Sequence, residues 1–170
     1  METRWKRVGL KSGTILMVAL ILVIAGLLTA AHLRLKAHRK TVRSVAVLPF
    51  LNGTSSPEID LLCERLTQEI TRNLDGARKL SVTPAERVMR YKGNVLSPWK
   101  AGNELNVDVV VVGRVQRNHD TLIIQTDLMN VTDESQLWGQ QYERDRPNLD
   151  ALSPEIGKDI SDHVLAAISQ

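Results

Sequence analysis

Val107-Asp108-Val109-Val110-Val111-Val112-Gly113-Arg114-Val115 is the most strand-like stretch of the 170-residue chain, with six valines in nine positions. Valine is stiff at its β-carbon and packs well on a pleated surface. Both faces of the stretch are mostly apolar, so it predicts a strand in the middle of a sheet rather than at its edge. Arg114 interrupts the run beside Gly113. A charge there needs a partner or an opening to water. A structural role is expected for it, marking where the strand leaves the core or pairing with an acidic neighbour.

Working toward the C-terminus, Asn118-His119-Asp120 predicts a hairpin turn. Leu122, Ile124, Thr126 and Leu128 then alternate with neighbours that include Gln125 and Asp127, the pattern of a half-buried strand. Asn130 to Gln136 is a second turn. Leu137 to Glu143 is a third strand, with Trp138 and Tyr142 on one face. Ser153-Pro154 predicts the start of a last helix, with Ile156, Ile160, Val164 and Ile168 as its apolar stripe.

Toward the N-terminus, Ser44-Val45-Ala46-Val47-Leu48-Pro49-Phe50 reads as a short buried strand. Asn52 to Ser56 is a loop, and Ser56-Pro57 caps a helix carrying Ile59, Leu62, Leu66, Ile70 and Leu74 on one stripe, closed by Gly76. Leu80-Ser81-Val82 is a second short strand. Thr83-Pro84-Ala85-Glu86 has the form of a capping box, opening a short helix that ends near Tyr91-Lys92-Gly93. Ser97-Pro98 opens another helix, ending at Leu105-Asn106. The order is β-α-β-α-α-β-β-β-α. Crossovers come first and hairpins later, which predicts a mixed α/β (α+β) domain with one mixed β-sheet and flanking helices.

The segment before this domain is different. Gly13 to Ala31 carries no charge and no polar face. As a helix it would reach about 28 Å, close to the hydrocarbon thickness of a bilayer. The reading is a basic tip at 1–12, a transmembrane helix at 13–31 in contact with membrane lipid, a basic connector at 32–43 and a folded domain at 44–170. Thr29-Ala30-Ala31 leaves a cleaved signal peptide as the alternative. Arg4, Lys6, Arg7 and Lys11 precede the run, and Arg34, Lys36, Arg39, Lys40 and Arg43 follow it. These groups are nearly tied and lean slightly against a C-terminus outside, so charge alone does not assign the orientation.

The first 43 residues hold nine Lys/Arg and one acid, whereas the rest hold 13 Lys/Arg and 18 Asp/Glu. The basic character thus lies beside the apolar run, where it suits anionic head groups. The domain itself is acidic, which argues against nucleic acid as its ligand. Cys63 is the one cysteine, so an internal disulfide is excluded, and it is expected as a buried thiol on the first helix.

The words along the chain resemble a bacterial family. Ser44 to Phe50 is similar to the opening of the TolB amino-terminal-like, or FlgO-type, domain. Pro57-Glu58, Leu66-Thr67-Gln68-Glu69, Tyr91-Lys92-Gly93, Glu104 to Asp108, Gly113-Arg114-Val115, Leu137-Trp138-Gly139 and Tyr142-Glu143-Arg144-Asp145 follow in the family's order. The resemblance covers Ser44 to Asp145. It departs at Cys63-Glu64-Arg65, where the family has a small Ala-Asp-Gly step. It implies a domain outside the cytoplasm behind a single inner-membrane helix, and that implication settles the orientation as periplasmic. Family members commonly carry a winged-helix, cyclase or kinase half before the membrane and tetratricopeptide repeats after the domain. This chain has 12 residues before the run and ends at Gln170, so no output domain of its own is expected.

No residues are expected to be catalytic, to bind a cofactor or to hold a metal. His119 and His163 lack ligand spacing, and no nucleophile elbow, phosphate loop or His-Glu-x-x-His occurs. Asp60 and Glu64 share a helix face expected to be solvated. Arg144 and Asp145 are expected after a strand end, in a local ion pair or cap. Asn52-Gly53-Thr54 and Asn130-Val131-Thr132 match glycosylation sequons, which arise often by chance. Trp138 and Tyr142 are expected to pack on the sheet rather than line a ligand groove. The function expected is a non-catalytic, membrane-anchored interaction module of the bacterial envelope with a protein or envelope-component partner. The alternatives are a sensory fragment whose signalling half lies on another chain and, less favoured, an envelope hydrolase.

Overall fold

The computed structural model describes residues 20–23, 26, 41–77, 80–93, 97–145 and 147–169. The chain divides into two compact units, Met1–Lys40 and Thr41–Gln170. In the first, residues 20–23 and 26 are helical, and Leu20, Ile21, Leu22 and Val23 expose more than half their surface. The rest of the predicted span 13–31 lies outside the described residues, as do the tip 1–12 and the connector as far as residue 40. No helix of the described residues is long and apolar enough to cross a membrane.

The second unit contains β1 (Ser44–Val47), β2 (Leu51–Asn52), α1 (Pro57–Asp75), β3 (Ser81–Val82), α2 (Ala85–Val88), a 3-10 turn (Met89–Tyr91), α3 (Pro98–Leu105), β4 (Val109–Asn118), β5 (Thr121–Asn130), β6 (Gln136–Asp145) and α4 (Leu149–Ile168). One mixed sheet runs β3-β1-β4-β5-β6, with β2 also pairing to β4. β1 lies parallel to β3 and β4, and β4-β5-β6 form an antiparallel meander. The valine-rich strand is therefore central, and the predicted fold class is observed.

Side-chain alternation builds two unequal layers. Val45, Val47, Val109, Val111, Val115, Leu122, Ile124 and Leu128 point to one face and meet Ile59, Leu66, Ile70 and Leu74 of α1 and Ile156, Ile160 and Val164 of α4. The helices approach closely because Ser153, Gly157 and Ser161 recur every fourth residue on the buried side of α4. A Cβ on Gly157 would stand 2.8 Å from Cγ of Glu69 on α1. The opposite face carries a smaller cluster of Ala46, Leu48, Val88, Tyr91, Ala101, Leu105, Val110 and Val131, under α2 and α3.

Several local expectations need correction. The predicted loop at 52–56 begins inside β2, a two-residue strand that pairs Leu51 with Arg114 and Asn52 with Val115. Two residues give no periodicity to read. The Thr83 capping box does not form, since no side chain caps α2. Thr83 instead continues the sheet, its N–H donating to the Val45 carbonyl at 2.9 Å. The last helix begins at Leu149, ahead of Ser153-Pro154. Oδ1 of Asn148 accepts the Asp150 N–H at 3.1 Å, and Leu149 and Leu152 bury the extra turn in the core. Burial and the cap outweigh the one helical hydrogen bond that Pro154 cannot donate. β6 runs through Arg144 and Asp145, which therefore lie within the strand and not beyond it.

Candidate binding groove

The unequal layers leave half of the second sheet face open. α3 covers the start of β4 and stops, because Asn106 turns the chain through a left-handed conformation with φ 55°. Beyond it lies a groove of about 380 Å³. Leu48, Pro49 and Leu51, from the β1–β2 segment, form one wall. Tyr91, Pro98 and Ala101 form the other, and Val112, Gly113, Arg114, Gln125 and Asp127 of β4 and β5 complete it. Tyr91 is held upright: its hydroxyl donates to Oε2 of Glu104 at 2.8 Å and accepts from Nη2 of Arg90 at 2.6 Å. A mostly apolar cleft with few polar groups suits a binding site.

Arg114 opposes Gln125 across the β4–β5 ladder, and Val112 opposes Asp127, so the two charges sit a diagonal step apart. Arg114 is exposed and makes no hydrogen bond or ion pair with another described side chain. Its face of the strand opens to water there, although the strand itself stays in the core through Val115. The alternative of an acidic partner is not met. Asp127 is partly buried, and that burial raises its carboxyl above the ordinary value. Nε2 of Gln136 donates to it at 2.6 Å. Because ionised Asp127 is disfavoured on folding, its contribution to stability is greatest below the carboxylate range and declines as pH rises through the folded-state value.

The other singled-out residues fall elsewhere. Asp60 and Glu64 are not merely solvated: both accept from Nζ of Lys92, at 2.7 and 2.6 Å, tying α1 to the segment after the 3-10 turn. The two carboxylates raise the Lys92 ammonium above its ordinary value. Trp138 stacks on His163 with ring centroids 5.4 Å apart, and Tyr142 donates to Oδ2 of Asp159 at 2.7 Å. Arg144 meets Glu155 at 2.7 Å, and Asp145 accepts from Thr121 at 2.6 Å. Tyr142 and Arg144 thus border a shallow polar depression of about 260 Å³ against α4, while Trp138 packs on the core. Oδ1 of Asn52 accepts from Thr54, and Oδ1 of Asn130 accepts from Thr132, so both sequons serve as turns here. His119 is the first residue of the two-residue β4–β5 turn, at φ 54°, far along the sequence from His163. No group of three or more His, Cys, Asp or Glu suited to a metal occurs among the described residues.

Cys63 is 2% exposed, and burial pushes its thiol up to about 12 from 9.0. The reactive thiolate is thus strongly suppressed at neutral pH. A thiol-specific chromogenic reagent is expected to leave Cys63 untouched in the native protein and to modify it fully in denaturant. Rapid native labelling would refute the buried placement.

The groove left little trace in the sequence. Its walls come from three separated segments, and only Arg114 gave a signal, a charge inside an apolar strand.

No protein-family model matches the chain. A protein of Rhizobium meliloti (strain 1021) named "Putative adenylate cyclase 3" is 29% identical over 117 residues, 69% of this chain and 20% of that protein. The chain therefore spans about one fifth of that relative. Among solved structures, TolB from Acinetobacter baumannii superposes with a TM-score of 0.50 at 13% identity, over 76% of this chain and 29% of TolB. A PelC variant dodecamer from Paraburkholderia phytofirmans gives a TM-score of 0.50 at 17% identity, over 71% of this chain and 87% of PelC. These likenesses show a shared fold.

Proposed function

We propose that the chain is a non-catalytic interaction module of the bacterial envelope, of the TolB amino-terminal-like, FlgO type. The segment 13–31 holds it in the inner membrane, and the groove beside α3 receives a protein partner on the periplasmic side. The observation that carries this reading is the open sheet face: an apolar cleft whose rim holds an arginine with no side-chain partner among the described residues. Arg114 sits at the rim, where a partner's carboxylate or backbone carbonyl would pair with its charge while the guanidinium stays partly hydrated, which limits the desolvation cost. The order of family words along 44–145 and the likeness of fold to TolB support the envelope assignment.

The test places a photo-crosslinking residue at Gln125 in the full-length chain within membranes, with exposed Glu86 as a control position. A discrete adduct is expected at Gln125 only. Arg114→Glu is expected to weaken it at least tenfold, the scale of a lost charged contact at an interface. Equal labelling at both positions, or indifference to Arg114→Glu, would remove the groove from consideration.

A second reading is favoured by the cyclase-named relative, of which this chain matches a fifth: the domain is the sensory part of a signalling system. Under that reading, occupying the groove changes cyclic-nucleotide, kinase or transcriptional output in the cell.

A further inference from the structure

Outside the groove, the outer edge of β6 is a second unused bonding surface among the described residues. β6 is the last strand of the sheet, ten residues long, with no neighbour on its far side among the described residues. The two-residue turn pairs Asn118 with Thr121, and in such a turn that pair is hydrogen-bonded in both directions. Alternation then carries through the ladders. From Trp138 onward the even-numbered residues of β6 bond to β5, and Gly139, Gln141, Glu143 and Asp145 direct N–H and C=O outward; at the other end the register shifts, Leu128 pairing with Trp138 and Met129 with Gln136. Glu143 is partly served, since its carbonyl accepts from Nη1 of Arg144 at 3.0 Å. The strand contains no Pro and no Lys, two common protections of an exposed edge.

We propose that this edge pairs antiparallel with β6 of a second copy of the chain, joining two sheets across a twofold axis at Gln140. The charge pattern selects this occupant. Glu143, Arg144 and Asp145 are confined to one end of β6, and Gln136, Leu137 and Trp138 occupy the other. Antiparallel self-pairing places each charged end against the partner's neutral end. Registers centred on Glu143 or Arg144 would set like charges face to face and are disfavoured. The register centred on Gln140 sets Trp138 opposite the partner's Tyr142, Gly139 opposite the partner's Gln141 and Gln140 opposite itself. All side chains then keep their own face of the sheet.

The test uses the full-length chain in detergent micelles. In this register the two Gln140 positions form a non-hydrogen-bonded pair with Cα atoms about 4.5 Å apart, within disulfide range. Gln140→Cys is expected to oxidise to a disulfide dimer, while Glu86→Cys stays monomeric. Cys63, buried with a raised thiol, does not compete. Gln140→Lys puts two ammonium groups on the axis, and Gln141→Pro removes an outward N–H while sparing the bonds to β5. Each is expected to raise the dimer dissociation constant at least tenfold and to leave the circular dichroism spectrum unchanged. Three results would overturn the proposal: a monomer at all concentrations, a dimer that Gln140→Cys fails to lock and Gln140→Lys fails to weaken, or an edge found paired to a segment of another protein.

Discussion

Gly113→Ala is expected to lower the unfolding free energy by about 2–3 kcal/mol, the range for forcing extra volume into a packed interior. A Cβ at this position would stand 2.1 Å from Cε1 and 2.4 Å from Cδ1 and Cζ of Phe50. Carbon atoms in good contact sit about 3.5–4.0 Å apart, so the ring must move by more than an ångström. It has little freedom to do so. Phe50 is 4% exposed, and its backbone N–H donates to Oγ1 of Thr67 on α1 at 3.1 Å. That hydroxyl is itself fixed by donating to the Cys63 carbonyl at 2.8 Å. The ring therefore fills the gap in β4 that the missing side chain creates. The partner experiment is Phe50→Leu, which is expected to cost about 1–1.5 kcal/mol alone. In that background Gly113→Ala should cost less than about 1 kcal/mol, a coupling of the size seen between touching residues. Urea unfolding followed by Trp fluorescence measures all four proteins. Strictly additive effects would show that the ring is not what demands a glycine.

Gly113 also shows how far the sequence could be read. A strand of valines broken by Gly-Arg announced a central strand with one irregular place, and it is one. Helical stripes, parallel crossovers and hairpins followed from periods of 3.6 and 2 and from turn residues, and these signals are local. The reason for Gly113 was not local, because Phe50 lies 63 positions earlier in sequence. β2 was hidden for a related reason: Leu51-Asn52 becomes a strand only because Arg114-Val115 lies beside it. The groove escaped notice because it is made by what α3 fails to cover. Asp60 and Glu64 read as a solvated helix face, and their junction with Lys92 appears only once α1 and the Tyr91-Lys92-Gly93 turn are neighbours. Pro154 misled in the opposite direction. Its local signal marked a helix start, while buried Leu152, partly buried Leu149 and an asparagine cap extended the helix ahead of it.

Asp108→Ala is the other substitution expected to act strongly, by about 2–3 kcal/mol. The parallel strands β1 and β4 begin side by side, and parallel strands have no turn to hold their ends together. Asp108 performs that task. One carboxylate oxygen accepts the N–H of Arg43 at 3.0 Å, the N–H of Ser44 at 3.1 Å and the hydroxyl of Ser44 at 2.9 Å. The Asp108 N–H meets Oγ of Ser44 at 2.9 Å. Removing the carboxylate leaves two backbone donors without that acceptor at the first residues of the sheet. Hydrogen bonds to a charged group contribute about 1.5–3 kcal/mol, reduced here because Arg43 is open to water. Asp108→Asn keeps an acceptor oxygen and loses the charge, so it should cost less than half as much. The loss should also be local: amide exchange at Ser44 and Val45 should accelerate at least tenfold, while exchange in the β5–β6 ladder follows global stability alone. Uniform acceleration through the sheet, or no loss of stability in Asp108→Ala, would refute the role. Under the proposed envelope reading, residues 32–43 connect the domain to a membrane segment and enter it at Ser44, so the consequence reaches function. A firm junction fixes the end of the tether at the sheet, and a frayed one lengthens it by several residues. Under the envelope reading, Asp108→Ala should therefore weaken partner capture in membranes more than capture by the same protein in detergent solution.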